Sequence, residues 1–406
     1  MTSMISRTMS TPARGISAAR LAALWFGLQA LWGALLGISL QARTTALHPA
    51  HALLAYGQVA TLGALAAMIV QLIVGPLSDR HRRNGNDRAI FLVVGTVCGA
   101  AGIIAFYLAP TYAALLAATI FLQVGANIAI GPYQAIIPDY FSAQHAGSAS
   151  AWMAALQSAG NACGALAATF IVAPLGAAAI LAALFVGGSA ITIVHMSRIV
   201  PRELIVSRIG FPPGAIDLFI SRAILWIGFY TILGYMFFYV RDTLHLLTPM
   251  RTTGLVILVF TITAVAGAAL SGRPADRLDR RLVVNIGTAI VTFALLAFIA
   301  VRHVDVLFGA AAAAGLGWGA FLTADWALGC AILPRNAMAT AMGVWNIAVA
   351  GSQIAAPALA SLAFVLLRPR NEAAPLYALA LATVEVIAGS AWIWRLPRVI
   401  EEGATR

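Results

Sequence analysis

Gly75-Pro76-Leu77-Ser78-Asp79-Arg80-His81-Arg82-Arg83 gathers Asp79, Arg80, Arg82 and Arg83 in a chain whose charged fraction is only 10%. Long apolar runs flank it at 51–75 and 89–109, so the stretch reads as a charged turn between two membrane helices. A second copy follows as Gly272-Arg273-Pro274-Ala275-Asp276-Arg277-Leu278-Asp279-Arg280-Arg281. Gly75, Asp79 and Arg80 recur as Gly272, Asp276 and Arg277 at an offset of 197 residues, close to half of the 406 in the chain. A repeat of that length implies a duplicated architecture.

Outward from this stretch the composition sets the class. Hydrophobic residues make up 61% of the chain and mean hydropathy is +0.90, outside the range of a soluble domain. The apolar runs fall at 19–41, 51–75, 89–109, 112–137, 147–172 and 175–197, then at 215–240, 250–272, 282–301, 304–333, 338–367 and 374–395. Each is long enough to span a bilayer as a helix. The reading is therefore an all-α membrane protein of twelve transmembrane helices. It divides into a tail (1–18), a six-helix bundle (19–197), a linker (198–214), a second six-helix bundle (215–395) and a second tail (396–406).

Every one of the 25 basic residues is arginine. The net charge of +11 comes from arginines beside spans, which fits membrane topology rather than nucleic-acid binding. With the N-terminus inside, eighteen arginines fall on the inner side and six on the outer, which places both termini in the cytoplasm. Residues 1–18 lack a small-residue cleavage site and read as an uncleaved tail. Cys98, Cys163 and Cys330 lie inside apolar runs without paired spacing, so no disulfide framework, metal site or cofactor is expected.

Two more landmarks extend the repeat. Ala135-Ile136-Ile137-Pro138 at the end of span 4 echoes Ala331-Ile332-Leu333-Pro334 at the end of span 10, and Trp152 in span 5 matches Trp345 in span 11. Both halves hold six spans and start on the same side, so the repeats are parallel.

With these features the chain resembles a transporter of the major facilitator superfamily, whose G-x-L-x-D-R-x-G-R-R type loop lies between spans 2 and 3. Gly75, Leu77, Asp79, Arg80 and Arg83 match it; Arg82 stands at the second glycine, and Asn84-Gly85-Asn86-Asp87 lengthens the loop. Gly131 to Asp139 and Asp325 to Pro334 resemble the ends of spans 4 and 10 in the sugar/glycoside–cation branch, which is similar to the sucrose–proton symporters. Gly160-Asn161-Ala162-Cys163-Gly164 lacks the proline of the drug-antiporter signature in span 5. The resemblance implies that spans 1, 4, 7 and 10 line a central cavity, that spans 3, 6, 9 and 12 face lipid, and that the charged loop latches the cytoplasmic side.

Charges inside spans are costly unless they face a polar cavity or a partner. Arg222 in span 7 and Asp325 in span 10 stand at comparable depth on helices expected to line the cavity. They are candidates for an ion pair that opens on proton or substrate binding; a static bridge between helices is the other reading. Asp217 suits a first-turn acid at a helix N-terminus. Glu385 in span 12 is either a protonated packing residue or a remote proton site.

Gln29 and Trp32 in span 1, Gln123 and Asn127 in span 4, Gln157 and Asn161 in span 5, and Asn346 and Gln353 in span 11 are neutral polar or amphipathic groups. Together with Tyr133, Tyr230 and Trp318 they suit a hydroxyl-rich ligand, because amides donate and accept while aromatic faces cover C–H surface. The same amides can instead join helices to one another. For the latch, Asp79 is expected against the start of span 11, and Arg80 or Arg83 against Asp139 at the end of span 4.

The expected function is secondary active transport of a small polar solute, sugar- or glycoside-like, with a proton, by a monomer in a bacterial inner membrane. Proton-driven export of a drug-like compound is the alternative. Neither nucleotide-loop, zinc-ligand nor Ser–His–acid sets support a membrane enzyme.

Overall fold

A computed structural model describes residues 17–136, 140, 146–171, 173–197, 213–300, 303–332, 338–370 and 372–396. Pro138, Asp139, Pro334 and the side chains of Asp276, Cys330, Trp345 and Asn346 lie outside the described residues. The described regular structure is helical throughout. After a short turn of helix at Ala18–Leu21, the long helices are α1 (Ala23–Leu47), α2 (Ala52–Arg83), α3 (Ala89–Leu108), α4 (Tyr112–Tyr133), α5 (Ala146–Phe170) and α6 (Pro174–Met196). The second set is α7 (Ala215–Thr243), α8 (Pro249–Arg277), α9 (Arg280–Ala300), α10 (Val304–Ile332), α11 (Met338–Leu367) and α12 (Ala374–Trp392).

Eleven of these are long and apolar enough to cross a membrane. The twelfth, α5, has 25 residues, a length of about 37 Å at the α-helical rise. Without water to satisfy their backbones, such runs must close their hydrogen bonds internally, which is why they are helices. Proline at the start of α6, α8 and α12 loses an N–H that the first turn would leave unpaired anyway. Below, the near face is the end of the bundle where α1 and α7 begin, and the far face is where they end.

The charged stretch itself is helical, not a turn. α2 continues through Pro76 to Arg83, and the chain reverses at Asn84 and Gly85, where Gly85 takes a φ of 85°. Four basic side chains in the last turn complement the negative end of the helix, and a glycine just beyond the cap supplies the left-handed residue. The downstream copy behaves alike: α8 runs to Arg277 before breaking at Leu278.

Small residues let the helices touch along their backbones. A side chain at Gly160 or Gly164 of α5 would collide with the α1 carbonyls of Phe26 or Ala30. One buried core gathers in the first half and a second in the other half. The first core also takes in Tyr235, Phe238 and Phe364 from the second half. Tyr235 and Phe238 meet Tyr56 of α2 at ring-centroid distances of 5.3 and 5.6 Å. Gln41 of α1, fully buried, donates through Nε2 to the Gly234 carbonyl of α7 at 3.2 Å. Arg241 at the end of α7 donates to Thr45 Oγ1 of α1. The halves are thus shut against each other at the far face.

Candidate functional site

α7 and α10 bring Arg222 and Asp325 together as an ion pair, 5% and 2% exposed. The Arg222 guanidinium also stands 5.6 Å from the centre of the Trp226 ring, one turn along the same helix. Trp226 meets Trp318 edge-on at 5.3 Å, while Phe229 stacks on Trp318 at 4.7 Å and 15°. Phe321 also packs on Trp318, tilted by 47° at 4.7 Å. This aromatic wall keeps water from the charges and strengthens their attraction, but it also removes their hydration. Losing either partner would therefore strand the other.

The same face of α7 leads into a central cavity. Arg222, Trp226 and Tyr230 follow at four-residue spacing, so they stack along one side of the helix. Trp226 and Tyr230 have ring centroids 5.7 Å apart, and the Tyr230 hydroxyl accepts a hydrogen bond from Gln353 Nε2 of α11 at 2.9 Å. Tyr230 and Gln353 line a cavity with Gln123 and Thr119 of α4, Tyr56 of α2 and Leu36 of α1. Its volume is about 30 Å³, room for roughly two waters and too little for a sugar ring. Leu35–Ser39, which bounds it on α1, is a π-helical turn, a local widening often found where a helix lines a site.

Behind the cavity wall lies a chain of amides. Gln71 Nε2 of α2 donates to Asn127 Oδ1 at 2.6 Å, and Asn127 Nδ2 donates to Gln123 Oε1 at 3.2 Å and to its carbonyl at 2.8 Å. Asn127 therefore orients Gln123, and Gln71 orients Asn127. Gln71 is visible in the sequence as an amide inside an apolar run. It stands on span 2, outside the set of helices expected to line the cavity.

The remaining expected residues divide. Tyr133 is sealed in the near-face core: its hydroxyl donates to the Leu21 carbonyl at 2.8 Å and accepts from the Trp25 amide at 3.2 Å. It pins α4 to the start of α1 and does not line the cavity. Gln29 and Trp32 are half-buried on α1, on the near side of the Leu35–Leu40 stretch that lines it. Trp318 packs against the ion-pair wall rather than the cavity. Asp217 in the first turn of α7 accepts from Trp392 Nε1 of α12 at 3.1 Å.

At the near face, Asp79 pairs with Arg88 of its own half at 2.8 Å. Arg88 is 3% exposed and also donates to Ser78 Oγ at 2.8 Å, so it ties the end of α2 to the start of α3. Arg80 and Arg83 are exposed, and among the described residues Gly75 has open space where a side chain would be. Asp139, their expected partner, lies outside the described residues.

The family model of the Major Facilitator Superfamily matches residues 16–357. No curated protein matches the sequence. Among solved structures, the chain is similar to a bacterial homologue of the human lysosomal transporter Spinster in an inward-facing, unoccupied conformation. The TM-score is 0.71 at 13% identity, covering 93% of this chain and 95% of that one. It is also similar to the nucleoside transporter NupG, with a TM-score of 0.69 at 14% identity over 92% of this chain and 99% of that one. An auto-inhibited peptide transporter of the POT family gives a TM-score of 0.73 at 12% identity, over 95% of this chain and 97% of that one. Helical architecture, repeat and family match agree, and the chain belongs to the Major Facilitator Superfamily.

Proposed function

We propose that this transporter moves a small polar solute, sugar- or glycoside-like, together with a proton, by alternating access between bundles 19–197 and 215–395. The observation that carries the reading is the buried Arg222–Asp325 pair and its link, through Trp226 and Tyr230, to the amide-lined cavity. Protonating Asp325 releases Arg222. Because Arg222, Trp226 and Tyr230 share one helix face, a shift of the guanidinium reaches Tyr230 and Gln353 by direct contact. The protein acts as a monomer in a bacterial inner membrane, with the near face and both termini cytoplasmic. Eighteen arginines against six support that orientation.

The test is uptake of labelled sugars and glycosides by proteoliposomes under an imposed proton gradient. Wild-type protein accumulates its solute and loses accumulation when a protonophore is added. Asp325→Asn loses accumulation yet retains exchange down a solute gradient. Full proton-driven uptake by Asp325→Asn would falsify the coupling assignment.

The aromatic wall of Trp226, Phe229, Trp318 and Phe321, with Leu35, Leu36 and Leu233 at the cavity, favours a second reading: export of an amphipathic compound. A change in the host's susceptibility to such compounds on deletion, with no sugar uptake, selects it.

A further inference from the structure

Glu385 sits on α12, a helix expected to face lipid, yet it is 7% exposed and turned inward onto α7. It lies seven residues before Trp392, about 10 Å from the near end of the helix. Its surroundings are neutral. Thr231 meets it from α7, where Gly228 provides the space: a Cβ there would stand 3.5 Å from Glu385 Cβ.

Among the described residues, the charged groups on neighbouring helices are engaged elsewhere, Arg280 of α9 with the Ala275 and Ala327 carbonyls. On α7, Arg222 pairs with Asp325 and Asp217 takes the Trp392 indole N–H. On α9, Arg281 bonds Asp279 and the Leu396 carbonyl at the near face, and Asn285 and Thr288 join Ser390. At the far end of α7, Arg241 pairs with Asp242. The described part of α11 that packs on α12, residues 347–367, contains no ionisable side chain.

One hydroxyl hydrogen between two oxygens limits the charge states open to Glu385. Thr231 Oγ1 lies 3.0 Å from Glu385 Oε2 and 3.0 Å from the Ile227 carbonyl oxygen of its own helix. A hydroxyl has one hydrogen, and a carbonyl oxygen can only accept. With that hydrogen on Ile227, Thr231 must accept from Glu385, so Oε2 carries a proton. The alternative is a carboxylate that takes the Thr231 hydrogen. It would leave Oε1, which has no hydrogen-bond partner among the described residues, holding half a negative charge in an apolar interface. An unpaired buried charge of that kind is the costliest arrangement on offer. In the protonated acid Oε1 is a neutral carbonyl, which tolerates the lack of a partner far better.

We propose that Glu385 is a proton-binding site at the α7–α12 interface, separate from the Arg222–Asp325 pair and loaded when the far face is closed. Its place on the machine is specific. Thr231 is three residues from Gly234, whose carbonyl takes the cross-half hydrogen bond of Gln41. Loss of the proton puts a charge into that interface and calls for water, which only parting of α7 from α12 admits. A proton here is thus tied to the helix that seals the far face. The proposal goes beyond the coupling role given to Asp325 and does not depend on it.

Infrared difference spectroscopy of the full-length protein in lipid nanodiscs tests it without a solute, using pH as the only variable. The expected result is a carbonyl band of a protonated carboxylic acid at neutral pH that shifts in heavy water. It declines reversibly as the pH is raised, vanishes in Glu385→Gln and persists in Asp325→Asn. Absence of the band at neutral pH, its survival in Glu385→Gln, or a band that never declines while the protein stays folded overturns the site. Should Glu385→Gln fail to insert, Thr231→Val decides: the band moves in frequency as the acid loses its hydroxyl partner, and an unmoved band overturns the assignment. Failure of the Asp325 assignment leaves the Glu385 band untouched, so the two are told apart.

Discussion

At the residue scale the ion pair and the charged stretch make separable demands. Asp325→Asn removes a charge from a buried pair and strands Arg222, so a loss of about 3–5 kcal/mol of stability is expected. The double variant Arg222→Met, Asp325→Leu removes both charges and should melt near the wild type while failing to accumulate solute. Thermal unfolding in detergent beside proteoliposome uptake checks both, and a double variant that transports normally excludes a coupling role. Arg88 is a different case. Arg88→Ala gives up the bonds to Ser78 and Asp79 and should cost about 2 kcal/mol, read as a lower melting temperature. Asp79→Asn is expected to lower transport with the inserted amount unchanged, since Asp79 is half-exposed and contributes little to folding. Immunoblot of membranes alongside uptake measures it, and unimpaired transport would exclude a latch.

At the element scale, helices meet where side chains are missing. α5 lies on α1 through Gly160 and Gly164, and α8 lies on α10 through Gly267, Gly315 and Gly319. With lipid tails as apolar as leucine, such contacts are held by close packing and not by hydrophobic exclusion. Gly164→Val forces its branched side chain into the Ala30 carbonyl, a backbone atom that cannot rotate away. Folded yield should fall sharply, by size-exclusion profile after extraction. Gly75→Ala, with open space around it among the described residues, should leave the yield unchanged. α2 differs from the sequence expectation of a charged turn at 75–83: it runs helically through Pro76. The helix continues because charges at a near-face end reach water and suit the helix dipole there.

At the scale of the whole molecule, the two halves meet at the far face through Gln41, Thr45, Tyr56 and Gly57 on one side and Gly234, Tyr235, Arg241 and Ser361 on the other. A Cβ placed on Gly57 would stand 3.3 Å from Ser361 Cβ, near the separation found in disulfides. With Cys98, Cys163 and Cys330 replaced, Gly57→Cys with Ser361→Cys should crosslink on oxidation, block transport and regain it on reduction. Crosslinking without any effect on transport would show that the far face does not open in the cycle. The apolar run lengths, the offset of 197 residues and the arginine bias were enough to read twelve parallel-repeated spans, because a bilayer leaves backbone polar groups only one local solution. Run length likewise put Arg222 and Asp325 at one depth. Which amides share the cavity wall, that Tyr133 is buried against α1, and that Glu385 turns inward were decided only by tertiary packing. Helix rotation and the pairing of side chains from distant helices depend on contacts between residues 56, 112 and 154 positions apart, and no local pattern encodes them.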